Sequence, residues 1–335
     1  MKILTLSNTS KEQLLKEIVS EIKNAKTFFI AGHRKPDGDA LGSGLALASL
    51  LRRLGKKVTH CSIDEISQDL KFMSGSKTIK ITNKIDKNFD CAIILESMNF
   101  ERMGNIIKPT QAKFIINIDH HLSHTDFGNI NYVVAHSSSV SELIYDIFEA
   151  LKIKPTKKEA ENLYIGIVTD TGRFQQLNTT AHSHLTAAKL LECGVNSSKI
   201  CKTLFSTFYL QKLKLYGLAL SNINTALDGK LVYIKLSEDM FKKTKADDAD
   251  TDGIINYCIS VPGAVVGCIL KEVAKKEIKI SFRSIEKFNL LNIVKNFSGG
   301  GHKNAAGCTI NTDMDTALKQ IIKACREQLG AKQTI

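Results

Sequence analysis

Three residues of one short segment could hold a divalent cation: His33, Asp37 and Asp39, in Gly32-His33-Arg34-Lys35-Pro36-Asp37-Gly38-Asp39-Ala40. Pro36 and Gly38 bend the chain between them. One imidazole with two carboxylates suits manganese or a similar ion better than a thiol-loving one. The segment also reads as an Asp-Gly turn opening a helix, with Asp39 accepting backbone N–H groups. Three other segments bear on that choice. Glu96-Ser97 follows the apolar run Cys91–Leu95, Asp119-His120-His121 follows Phe114–Ile118, and Asp170 closes a helical run before Thr171-Gly172. Each alone is an ordinary surface turn; together they imply that His and carboxylate groups converge on one sheet edge. His33, Asp37, Asp39, Glu96, His120 and Asp170 suffice for two divalent ions about 3.5–4 Å apart, which need a bridging carboxylate and several terminal ligands. Ions that close can share a water, lower its pKa and stabilise the attacking and leaving oxygens of a displacement at phosphorus.

The elements that must position these residues alternate strand and helix, the pattern of a parallel α/β sheet. Strands are expected at Thr27–Ala31, Val58–Cys61, Cys91–Leu95 and Phe114–Ile118, with a helix from Ala40 to Arg53 stopped by Gly55. Helical patterns then cover Ser141–Leu151, Lys157–Thr169, His182–Cys193 and Tyr209–Leu220. A second α/β unit begins near Lys230, with a strand at Leu231–Ile234 and a hairpin of Ala264–Leu270 with Glu277–Arg283. A helix near Leu290–Phe297, a glycine-rich turn, a short strand and a terminal helix follow. The expected domains are 1–195 for the metal-binding unit and 226–335 for the second, joined by a helical stretch over 196–225.

The 335 residues allow roughly two domains. No apolar run approaches the ~20 residues of a membrane span, and no secretory signal is visible at the N-terminus, so a cytoplasmic location is expected. The eight cysteines are scattered without a C-x-x-C pair, which argues against a disulfide framework or zinc ribbon. A formal net charge of +12 fits an anionic partner such as nucleic acid, or simply dispersed, solubilising lysines.

The ordered motifs resemble the DHH phosphoesterase family, named for the triplet standing here as Asp119-His120-His121. Ser281-Phe282-Arg283-Ser284, then Gly299-Gly300-Gly301-His302 and Ala305-Ala306-Gly307, resemble its DHH-associated C-terminal domain. The resemblance implies an N-terminal parallel-sheet domain with helices on both faces and a smaller C-terminal α/β domain with a mixed sheet, the active site lying in the cleft between them. It also implies roles. His33 and Asp37 hold one ion, Asp39, His120 and Asp170 the other, and Glu96 bridges. Asp119, His121 and Arg102 serve the catalytic site around them. Arg283, Gly300, Gly301 and His302 grip substrate phosphate. Glu96 departs from the family, which usually carries aspartate there, and its carboxylate reaches roughly one bond length farther.

Within the family the layout resembles the nanoRNase and 3′-phosphoadenosine 5′-phosphate phosphatase branch. That implies a manganese-dependent enzyme with two divalent ions, acting on short single-stranded RNA or a phosphorylated nucleotide, with no membrane partner and a homodimer possible. A cyclic di-AMP or linear dinucleotide phosphodiesterase is the enzymatic alternative; a catalytically impaired nucleotide- or RNA-binding protein is the other, because of Glu96. Ser139, in Ser137-Ser138-Ser139, reads chiefly as a helix cap and otherwise as a phosphate contact. His182 and His184 read as surface residues, His60 as structural, and His124 and His136 as loop residues without a role.

Overall fold

The computed structural model describes residues 4–5, 10–121, 125–285 and 287–330. They form two compact units that divide between Thr207 and Phe208. In the first, β1 (Leu4–Thr5), β2 (Thr27–Ala31), β3 (Lys57–Ser62), β4 (Lys80–Ile81), β5 (Phe89–Leu95), β6 (Ala112–Asp119) and β7 (Ile130–Val133) make one sheet. Its order is β1-β7-β6-β5-β2-β3-β4 and every pairing is parallel. Strand order reverses beside β2, with β3 on one side and β5 on the other. Open parallel sheets form their ligand crevice outside the carboxyl ends of the strands at such a point.

Both faces of β2 are buried, as a central parallel strand requires. Phe28 and Ile30 face one core, Phe29 and Ala31 the other. The first core is covered by α1 (Lys11–Asn24), α2 (Gly38–Arg53), α3 (Val140–Ala150), α4 (Lys157–Asp170), α5 (Ala181–Glu192) and α6 (Ser197–Phe205). The opposite face has its own core around Phe29, Ala31 and Phe89. Among the described residues its cover is the 3-10 turn Phe100–Met103 with Ile85, Ile106 and Ile107.

Glycines bring α2 against α4. A Cβ on Gly42 would stand 2.3 Å from the Asn162 carbonyl oxygen, and one on Gly38 2.4 Å from Thr169 Oγ1. That closeness carries the start of α2 and the end of α4, hence Asp39 and Asp170, to one place.

The second unit has a mixed sheet built from β8 (Ile223–Ala226), β9 (Leu231–Leu236), β10 (Val266–Ala274), β11 (Glu277–Ser284), β12 (Gly300–His302) and β13 (Ala305–Ile310). Its order is β12-β13-β11-β10-β9-β8, with β9 and β10 the parallel pair. One core lies under α10 (Leu291–Val294) and α11 (Met314–Gly330), the other under α7 (Leu210–Ser221), α8 (Glu238–Thr244) and α9 (Ile254–Ile259). The expected hairpin forms but runs farther, so Lys275 and Lys276 alone make the turn, with Lys276 at φ +62°. The stretch 196–225 holds α6, α7 and the first residues of β8: α6 packs Ile200 and Leu204 into the first unit, and α7 packs Leu215 and Ala219 into the second. No helix among the described residues is long and apolar enough to cross a membrane.

Candidate metal centre

The loop after β2 delivers His33, and α2 begins on Asp37. The Asp37 carboxylate caps that helix, accepting from the N–H groups of Asp39 and Ala40, both at 3.0 Å. Asp39 does not cap its own helix, as one reading of the sequence had it. Its two oxygens accept from Val140 N–H (2.6 Å) and Ser141 N–H (2.9 Å), the first turn of α3. Helix N-termini favour negative charge, and each carboxylate oxygen keeps a lone pair for a cation. Glu96 follows β5 with a left-handed backbone, φ +51°, and is 3% exposed. Asp119 ends β6, His120 and His121 follow it, and Asp170 is the last residue of α4.

These side chains converge in two triads, His33–Asp37–Glu96 and Asp39–His120–Asp170, whose candidate ligand atoms each lie within 4.8 Å of one another. A third group of the same size joins Glu96 to His120 and His121, so Glu96 reaches both sides of the cluster. Cross-distances exceed hydrogen-bonding range: His33 Nε2 is 3.7 Å from Asp37 and 3.8 Å from Glu96, and His120 Nε2 is 3.6 Å from Asp170. The atoms converge without bonding one another.

Both triad imidazoles are turned the way metal-binding histidines are held. His33 Nδ1 donates to the Arg34 carbonyl (2.6 Å) and His120 Nδ1 to the Ser137 carbonyl (3.2 Å). A carbonyl can only accept, so Nδ1 carries the proton and a neutral ring keeps its lone pair at Nε2. Glu96 Oε2 and Asp119 Oδ2 are buried without a hydrogen-bond partner, a costly arrangement for carboxylates unless a cation meets them. Burial, then the charges of Asp39, Asp37, Asp170 and Asp119, holds the Glu96 carboxyl well above its ordinary range. Burial and then Asp39 and Asp37 push Asp170 up to about 8. This mixed nitrogen and oxygen donor set, with unmatched negative charge, fits a divalent cation.

The raised carboxyls set a direction in pH. In the metal-free fold Glu96 and Asp170 stay protonated where unfolded carboxyls ionise, so their contribution to stability is complete at low pH and is lost as pH rises through their raised folded values, about 8 for Asp170. A cation must displace those protons at pH 6 and fewer of them at pH 8. Manganese should therefore raise Tm more at pH 8 than at pH 6 in thermal melts with and without chelator. An equal or smaller shift at pH 8 would remove these carboxyls from the ligand set.

Around the triads, Asp119 Oδ1 accepts from His121 Nδ1 at 2.7 Å and from the His120 and His121 N–H groups. These bonds outweigh the effect of burial and hold its carboxyl below the usual range. His121 remains 37% exposed at the side chain. Arg102 lies in the 3-10 turn Phe100–Met103, and its carbonyl accepts from Arg34 N–H (2.9 Å), pinning the loop that carries His33. Ser139 is buried as the cap of α3, its hydroxyl accepting from Glu142 N–H, in keeping with its reading as a helix cap.

One group was not anticipated. Asn178 Nδ2 donates to the Asp170 carbonyl (3.1 Å) and the Ser138 carbonyl (3.0 Å), tying the end of α4 to the turn before α3. An asparagine in a turn eight residues past its partner gives no signal in the chain. The remaining histidines bear out their plain readings: His60 is buried in β3, with burial pushing its ring down to about 3, and His136 is exposed. His182 lies 3.6 Å from Asp146, and His184 stacks on Phe174. His124 lies outside the described residues.

In the second unit Arg283 is exposed on β11, opposite buried Phe282. In register it stands across from Ala305, which pairs with His302, so the three backbones form one row over β11, β13 and β12. Gly300 pairs with Gly307, which pairs with Ser281, in the next row on that face. Gly301 has φ +139°, and a Cβ there would stand 2.5 Å from the Ala305 carbonyl oxygen, so only glycine closes this strand pair.

Two family models match the chain: the DHH family, N-terminal domain, over residues 27–167, and the DHHA1 domain over 228–330. The bifunctional oligoribonuclease and PAP phosphatase NrnA of Thermus thermophilus is 31% identical, covering 95% of this chain and 94% of the relative. Its namesake from Bacillus subtilis is 28% identical over 93% of this chain and 98% of its own. Among solved structures, an exopolyphosphatase-related protein from Bacteroides fragilis is 28% identical, with a TM-score of 0.86 over 94% of this chain and 96% of that one.

Proposed function

Because this chain belongs to the DHH phosphoesterase family and is a hydrolase acting on phosphoester bonds, we propose that it is a manganese-dependent enzyme that degrades short oligoribonucleotides and removes the 3′-phosphate of 3′-phosphoadenosine 5′-phosphate. Support for the substrates comes from likeness, over almost the whole length of both chains, to proteins named for those two activities. The observation that carries the chemistry is Glu96, which belongs to ligand groups on both sides of the cluster.

His33 and Asp37 would hold one divalent ion, Asp39, His120 and Asp170 the other, with Glu96 reaching both. Such ions supply Lewis acidity toward phosphoryl oxygens and a nucleophile from water at neutral pH. The chain's own residues do the rest. The α3 N-terminus fixes Asp39 through two hydrogen bonds and offsets part of the burial that raises its carboxyl. Asp119 fixes His121 through Nδ1, so that ring takes or gives a proton at Nε2, as protonation of a leaving oxygen requires. Arg283, Gly300, Gly301 and His302 would bind a substrate phosphate through the guanidinium, the ring and backbone N–H groups.

The test is a mass-resolved digestion of end-labelled RNA, from dinucleotides to long strands, with manganese or chelator, beside 3′-phosphoadenosine 5′-phosphate and cyclic di-AMP. Metal-dependent loss of the shortest RNAs and of the bisphosphate, with long RNA spared, is expected. Preference for the cyclic dinucleotide would replace the substrate; no turnover by folded, metal-loaded protein would make it a binder. In the same assay Arg283→Ala should raise KM about tenfold with kcat within about twofold, the loss of one charge-assisted phosphate contact. An unchanged KM removes Arg283 from the substrate site.

A further inference from the structure

At the other end of α2 from Asp39, a cavity of about 590 Å³ opens between α2, α4 and the turn at Ser74-Gly75. That is within the roughly 300–1,000 Å³ of small-molecule sites. Arg52 stands thirteen residues along α2 from Asp39, about 20 Å at the helical rise, so this cavity is separate from the candidate centre. Its polar groups are unevenly used. The buried Glu159 takes Arg53 Nη1 at 2.6 Å and the Ser49 hydroxyl at 2.7 Å. Arg52 and Lys158, both exposed, have no ion pair among the described residues.

The wall of the cavity holds a second, independent signal. Asn162 is 2% exposed, and its Nδ2 donates to the Ser74 carbonyl at 2.9 Å, which fixes the amide's orientation. Its Oδ1 is buried and has no partner. A buried acceptor left unpaired costs stability that a ligand's N–H or O–H would restore. Ser74 and Asn162 also border an adjoining cavity of about 170 Å³, whose wall includes Phe72, Ile165 and Ile200. The Phe72 side chain is 43% exposed there.

Two free cations, an unmet acceptor and an open aromatic face together match one kind of ligand. We propose that this groove is a second binding site, for a nucleoside monophosphate. Its phosphate meets Arg52 and Lys158, a sugar hydroxyl or base amino group donates to Asn162 Oδ1, and the base lies against Phe72. Binding here does not depend on the proposed reaction. If that reaction releases nucleoside monophosphates, the groove reports their accumulation.

The test is calorimetric titration of the full chain with AMP, inorganic phosphate or adenosine, in chelator so that no turnover occurs. The double variant Arg52→Glu, Lys158→Glu, exposed at both positions, should fold as the parent does and weaken AMP at least tenfold. Its manganese-supported turnover at low AMP should equal the parent's. Asn162→Leu should weaken AMP and leave inorganic phosphate unaffected. AMP affinity unchanged in the double variant, or no AMP binding by the parent at millimolar concentration, overturns the proposal. Phosphate binding as tightly as AMP, with the same dependence on Arg52 and Lys158, overturns its nucleoside half.

Discussion

Glu96→Gln should fold, melt no lower than the parent in chelator, and lose about three orders of magnitude in metal-supported turnover. The two halves of this result have one cause. In the metal-free protein Glu96 is a buried carboxyl among Asp37, Asp39, Asp119 and Asp170, with Oε2 unpartnered. Glutamine keeps the shape and removes a charge that the fold accommodates only by keeping it protonated, so stability without metal is held or raised. With metal, the same change removes the ligand common to groups on both sides of the cluster. Loss of a central electrostatic group in an active site costs on the order of 10²–10³ in rate, and a shared ligand belongs at the upper end. The measurements are turnover with saturating manganese and Tm in chelator. Turnover within threefold of the parent would show that Glu96 is not a working ligand, and would leave its departure from the family's aspartate without consequence.

Gly166→Ala is expected to damage the same centre from behind. Gly166 lies in α4, where alanine is ordinarily the better residue by roughly 1 kcal/mol. Here a Cβ would stand 2.0 Å from Ser141 Oγ and 2.6 Å from Asp39 Oδ1. Relief requires moving the α3 N-terminus or the Asp39 carboxylate, and the two are joined by hydrogen bonds. Overpacking of this kind costs about 1–3 kcal/mol, a fall in Tm of roughly 2–10 °C for a chain of this size. Displacing a ligand by about an ångström should lower turnover about a hundredfold. Gly217→Ala is the control: it is also helical, has open space at the Cβ position, and should be neutral or stabilising. Parent-like turnover by Gly166→Ala would mean that Asp39 does not need the place it holds.

Much of the site could be read before the fold was known, because parallel sheets put chemistry at strand ends. His33, Glu96 and Asp119 each follow or end an apolar run that is a strand, and the strands are neighbours at the point where their order reverses. What escaped was of two kinds. The edge strands Leu4–Thr5 and Lys80–Ile81 are two residues long, too short for any period to appear. The partner of the first, Ile130–Val133, was also missed. So was α1, although Ser10 before Leu14, Ile18 and Ile22 is a cap followed by one apolar helical face. The second kind is tertiary. That Asp39 would serve α3 rather than its own helix, that Asn178 would hold Asp170, and that Gly166 would sit against both Asp39 and Ser141 depend on how helices cross. None of these follows from spacing along the chain.

The candidate ligands are spread from His33 to Asp170, over five separate strand or helix ends. During synthesis the His33–Asp37–Glu96 group has all its residues once Glu96 is made, whereas the Asp39–His120–Asp170 group waits for the last residue of α4. Metal held by the whole cluster therefore cannot template the early folding of this chain. It can only reward, by mass action, a first unit that has already paired its non-local strands. In a cell short of the divalent cation, newly made protein should accumulate folded and empty rather than misfolded.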